Sequence, residues 1–121
     1  MQSAMRIEAG AQLGLERLAR DEEGFLLDAG DWYPDLVDAF AAEAELDLTQ
    51  EHRDIIQYVR GYFEKNGSVP EARTLLKHMK ATWGADRATR RYLYRLFPRG
   101  YGQQACKLAG MRKPRKLMLD V

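Results

Sequence analysis

Cys106 is the only cysteine of the 121-residue chain and its only candidate for covalent chemistry. As a thiolate it would be a nucleophile. It stands in the last stretch of the sequence, YGQQACKLAGMRKPRKLMLDV over residues 101–121. That stretch changes from a helical to an irregular pattern at Gly110. It then runs basic through Arg112, Lys113, Arg115 and Lys116 and ends apolar at Leu117, Met118 and Leu119. Two influences on the thiol oppose each other. Lys107, Arg112 and Lys113 favour the thiolate, whereas a position well along a helix meets the negative end of its dipole. At about 100° per residue, Tyr101, Ala105, Leu108 and Ala109 share one face and Cys106 lies at its edge, open to a partner. The alternative is a buried thiol acting as a small hydrophobe.

Other chemistry is weakly indicated. His52 and His78 fall in different helical segments without the Cys/His/Asp spacing of a metal site. No glycine-rich phosphate loop, Ser-His-Asp set or paired catalytic carboxylates can be read, so neither a metal nor a cofactor is expected. Between Arg87 and Arg99, the residues Arg87, Arg90, Arg91 and Arg95 alternate with Tyr92, Tyr94 and Phe97, after a helical pattern ending near Trp83-Gly84. Two short helices joined by a glycine turn, the second basic, outline a helix-turn-helix. Nucleic acid is therefore an alternative partner, although arginines opposite a core-facing stripe suit any exposed helix.

Hydrophobic residues at 45% and charged residues at 31% fit one soluble domain over residues 1–121. No apolar run reaches the roughly 20 residues needed to span a bilayer. The first residues lack a basic stretch followed by an apolar one, so no secretory signal is expected. With a single cysteine, the expected compartment is the cytoplasm. The net charge of +1 hides an asymmetry: residues 1–54 hold 4 Lys/Arg and 14 Asp/Glu, residues 55–121 hold 15 and 4. That split gives either two solvated faces or a cationic surface for an anionic partner.

The elements that must position these residues are mostly helical. Residues 1–14 read as loosely ordered. Leu15–Ala19 and Phe25–Leu27 flank the turn signal Asp21-Glu22-Glu23-Gly24, which predicts a small N-terminal β-hairpin or meander. Asp31 is a candidate cap for a helix carrying Trp32, Leu36, Val37 and Phe40, with Pro34 in its first turn. Thr49 opens a central helix with the stripe Ile55, Ile56, Val59, Tyr62 and Phe63, stopped by Asn66-Gly67. Ser68-Val69-Pro70-Glu71 has the form of a capping box before Leu75, Leu76 and Met79. Gly84 stops that helix, and Asp86 is the candidate cap of the next, which ends at Pro98. A final helix spans about Tyr101 to Ala109, and residues 111–121 form an irregular arm because Pro114 forbids simple continuation. The fold class is α+β, a mostly helical array.

The order of these segments resembles the DsrC/TusE family of sulfur-relay proteins, which includes the gamma subunit of dissimilatory sulfite reductase. The likeness rests on DEEGFL at Asp21–Leu26, LTQEH at Leu48–His52, YLYRLFPRG at Tyr92–Gly100 and, above all, QQACKLAGMRKP at Gln103–Pro114. It implies a helical array with a small β-meander, a mobile C-terminal arm and a protein partner from a sulfur-relay or sulfite-reductase-like system. The family's full pattern has two cysteines. Cys106 matches the one before the arm, which closes an intramolecular bond. The other, at the tip, carries sulfur as a persulfide, and Leu117 stands at its position. The resemblance thus implies a divergent carrier or accessory protein rather than a stand-alone enzyme, acting through protein contacts in sulfur metabolism or tRNA thiolation or its regulation. Arg112, Lys113, Arg115 and Lys116 are candidates for steering the arm to an acidic partner.

Overall fold

A computed structural model describes residues 14–114. A helical turn at 14–17 sets Leu15 in the core. Four α-helices follow: α1 (Leu36–Glu43), α2 (Gln50–Asn66), α3 (Ala72–Trp83) and α4 (Arg90–Leu96). A π-helical segment, Tyr101–Cys106, precedes the tail. α2 packs against both α3 and the π-helical segment. Its Ile55, Ile56 and Val59 meet Leu36, Phe40, Leu75, Met79, Leu96, Phe97 and Leu108 in one core. No helix among the described residues is long and apolar enough to cross a membrane.

The expected N-terminal hairpin is corrected. Among the described residues there is no strand, and Arg20 and Leu26 form a single antiparallel bridge. The turn does close: the Asp21 carboxylate accepts from the amides of Glu23 and Phe25, each at 2.9 Å. Pairing stops there because the neighbours Phe25 and Leu26 are both buried. A strand would send consecutive side chains to opposite faces. The fold is therefore helical, with a bridged turn in place of a sheet.

Three helix starts also differ from expectation. Asp31 ends a 3-10 turn, Ala29–Asp31, capped by Asp28, and α1 begins only at Leu36. Pro34 biases Tyr33 away from helical backbone, which delays the start. Ser68 does not cap α3. The N-cap is Glu71, in extended backbone and without a side-chain cap bond. The segment before it is held extended by the Tyr101 hydroxyl, which donates to the Pro70 carbonyl at 2.7 Å. Asp86 lies in a 3-10 turn, Ala85–Arg87, and Thr89 caps α4. By contrast Thr49 caps α2 as expected, in a box closed by His52, and Gly67 ends that helix in left-handed backbone. Gly84 follows α3 as expected.

Candidate functional site

Cys106 lies at the end of the π-helical segment and is fully buried among core residues. The expected edge position is therefore corrected. A π-helical turn closes i→i+5 bonds, so the 3.6-residue spacing misplaces the side chains along it. Its thiol is pushed up to about 12 by burial, partly countered by a hydrogen bond with Tyr101. The Tyr101 phenol is itself held protonated by burial first, and then by Cys106. The cations near Cys106 in sequence are spent elsewhere: Lys107 and Lys113 reach Glu23, and Arg112 is exposed.

The residues just after Cys106, as far as Met111, are pinned. The amide of Met111 donates to the Cys106 carbonyl at 3.0 Å, and Met111 is buried. Gly110 has φ 80°, and a Cβ there would overlap the Trp32 side chain. The Trp32 indole N–H donates to the Leu108 carbonyl at 2.9 Å. Arg60 of α2 donates to the carbonyls of Ala29 and Ala109, at 3.0 and 3.3 Å, and stacks its guanidinium over the Trp32 ring. Trp32 and Arg60 thus satisfy the Leu108 and Ala109 carbonyls left open where the last helical turn ends.

A second set of contacts ties the tail to the bridged turn. The Lys107 ammonium donates to the Glu23 carbonyl at 2.7 Å and lies 4.9 Å from the Phe25 ring centre. Gln103 donates to the Glu23 carboxylate at 3.3 Å. Lys113 forms an ion pair with Glu23. Through that hydrogen bond Lys113 holds the Glu23 carboxyl below its ordinary range, and Glu23 raises Lys113 in return. Partial burial lowers Lys107. Buried Gln104 accepts from the Arg99 amide at 3.0 Å, fixing the turn that enters the π-helical segment.

Of the arm cations, Lys113 is thus docked on Glu23, while Arg112 is exposed. Arg115, Lys116 and Leu117 lie outside the described residues. Part of the basic stretch is engaged within the fold. Arg87 pairs with Glu51 at 2.7 Å, and Tyr92 donates to the same carboxylate. Arg90, Arg91 and Arg95 are exposed on a helix of only seven residues. His52 is buried, and its two ring nitrogens serve the Thr49 amide and the Leu96 carbonyl. No group of three or more His, Cys, Asp or Glu among the described residues could hold a metal. The parts played by Arg60, Trp32, Glu23 and Gln104 at this site are not legible in the sequence. Glu23 and Gln104 stand inside the motifs DEEGFL and QQACKLAGMRKP, Trp32 on an expected apolar stripe, and Arg60 beside the apolar stripe of the central helix.

The model of the DsrC family, described as DsrC like protein, matches residues 12–118. The chain belongs to this family. The sulfurtransferase TusE of Pectobacterium atrosepticum is 35% identical over 99 residues, which are 82% of this chain and 91% of that one. A TusE homologue of Haemophilus influenzae is 39% identical over 98 residues, 81% of this chain and 90% of its own. Among solved structures, DsrC of Allochromatium vinosum superposes with a TM-score of 0.71 at 42% identity, covering 81% of this chain and 88% of that one. The oxidised gamma subunit of the dissimilatory sulfite reductase of Archaeoglobus fulgidus gives 0.74 at 40%, covering 80% and 89%. The chain is accordingly a sulfur-relay family protein, and these comparisons lend no support to nucleic-acid binding.

Proposed function

We propose that this DsrC-family chain serves sulfur trafficking in the cytoplasm by docking its C-terminal arm on a protein partner, rather than by carrying sulfur on Cys106. The observation that supports this reading is the complete burial of Cys106, with its thiol pushed up to about 12. Persulfide formation needs an accessible thiolate, and at neutral pH this thiol is almost wholly protonated. At the tip, Leu117 offers no nucleophile at all. Beside Cys106, the chain keeps the family scaffold and offers a basic approach to the arm, Arg112, Lys113, Arg115 and Lys116. Those cations suit an acidic docking surface and speed encounter more than they tighten it.

The test is intact-mass analysis of the native chain after exposure to a persulfide donor. No adduct is expected on the folded protein, and one on Cys106 after denaturation. In Leu117→Cys, a native adduct is expected at residue 117. Transfer of sulfur from the unaltered chain to an acceptor would overturn the reading.

A further inference from the structure

One flank of α3, beside its core-facing side, carries a cationic stripe that the arm reading does not use. Ala72, Leu75 and Met79 face inward and are buried. Arg73, Leu76, Lys77 and Lys80 recur at i, i+3, i+4 and i+7, so they share one side over two turns. With Ala88 and Arg90 they line a cleft of about 460 Å³. Its floor is apolar, from Leu76, Ala88 and the aliphatic stems of the long cations. Among the described residues, the one ion pair made by any of its four cations is a solvent-exposed contact of Arg73 with Glu71, at 3.6 Å. Like charges at i,i+4 and i,i+3, as in Arg73–Lys77 and Lys77–Lys80, weaken the helix that bears them. Among the described residues, only that exposed Glu71 contact relieves the repulsion.

We infer that this cleft is a docking groove for an acidic amphipathic helix of a partner protein. An apolar floor rimmed by cations matches a helix with leucine-like anchors along its centre and carboxylates on its flanks, read at the same i, i+3, i+4, i+7 spacing. Nucleic acid fits less well. Of the six lining residues none is aromatic, so the cleft offers no surface on which bases could stack. The sequence pI of about 7.9 also lacks the strongly basic balance of a polyanion binder. The groove uses neither Cys106 nor the arm, so its test can fail while the arm reading stands, and the reverse.

The experiment titrates the full chain into a fluorescent amphipathic peptide of leucine and glutamate at helical spacing, read by anisotropy. Amide shifts are mapped in parallel. Saturable binding is expected, with shifts centred on residues 73–90. Lys77→Glu combined with Lys80→Glu should weaken it by roughly tenfold or more, with an unchanged circular dichroism spectrum. Cys106→Ala should bind as the parent does. Four outcomes would each overturn the proposal: no binding up to about 1 mM peptide, equal affinity for polyglutamate of the same length, displacement by short duplex DNA at lower concentration than by unlabelled peptide, or shifts centred on the arm.

Discussion

Two regions of this molecule are rich in cations and treat them in opposite ways. At the root of the arm, Lys107 and Lys113 converge on Glu23, and Arg60 reaches two backbone carbonyls under the Trp32 ring. On α3, Lys77, Lys80 and, across the cleft, Arg90 have no ion-pair partner among the described residues. The first region uses cations to close a structure around a thiol. The second holds them on a surface at a cost to its own helix. A charge count over residues 55–121 cannot separate these roles. The difference lies in whether a carboxylate or an open carbonyl from elsewhere in the fold reaches the cation.

The sharpest way to break the picture of a closed root is to find Cys106 reactive. Raising a thiol from about 9 to about 12 lowers its thiolate fraction near neutral pH roughly a thousandfold, before exclusion of the reagent is counted. Alkylation of the native chain should therefore be at least that much slower than of the unfolded chain. The same shift has a stability consequence. The folded state keeps the proton above pH 9, where the unfolded state loses it. Stability should thus fall as pH rises from about 9 towards about 12. Cys106→Ala should flatten that part of the pH–stability curve.

Gly110→Ala should give the largest loss of stability. The new Cβ meets Trp32, and the backbone at φ 80° is strained for any L side chain. A loss on the order of 3 kcal/mol is expected from chemical denaturation. Gly67→Ala is the control, since that glycine is also left-handed but has open space around it, and it should cost about 1 kcal/mol. Equal costs would mean that the Trp32 lid yields freely.

Arg60→Met should lose about 2 kcal/mol, because it keeps the stem but removes the donors to Ala29 and Ala109. It should also speed proteolysis at the start of the arm, a readout that a general loss of packing on α2 would not favour.

Caps separate what the sequence showed from what it hid. Thr49, Gly67, Gly84 and Gly110 were legible because each acts through its own backbone and near neighbours. Ser68 was misread because its neighbourhood is set from a distance: Tyr101, 31 residues beyond Pro70, draws that carbonyl into an extended segment. The hairpin was misread because the turn signal was sound but the next two residues both needed the core. Cys106 was misplaced because a π-helical turn carries no mark in residue type. The family was legible from short motifs, whereas the clamp of Arg60, Trp32 and Gly110 joins three distant positions. The measurement that exposes this contrast is a pair of mutants. Thr49→Ala should cost about 1 kcal/mol, and Ser68→Ala should stay within about 0.5 kcal/mol of the parent.

The smallest effects bear most directly on the two uses of charge, because their signs should differ. Lys113→Ala removes the partner of Glu23 and should lower stability slightly, less so as salt is added. The Glu23 carboxyl should then titrate closer to its ordinary value of 4.5, from below. In the parent, the contribution of this carboxyl is present above 4.5 and is lost as pH falls through the lowered folded value. The mutant should show less of that acid dependence. Lys77→Ala removes a cation flanked by Arg73 and Lys80 and introduces a better helix former. It should leave stability unchanged or raise it by roughly 0.2–0.5 kcal/mol, most at low salt. Thermal melts of both variants at two salt concentrations decide the matter. If Lys77→Ala destabilises as Lys113→Ala does, the α3 cations have structural partners of their own, and the distinction between a closed root and an open docking face collapses.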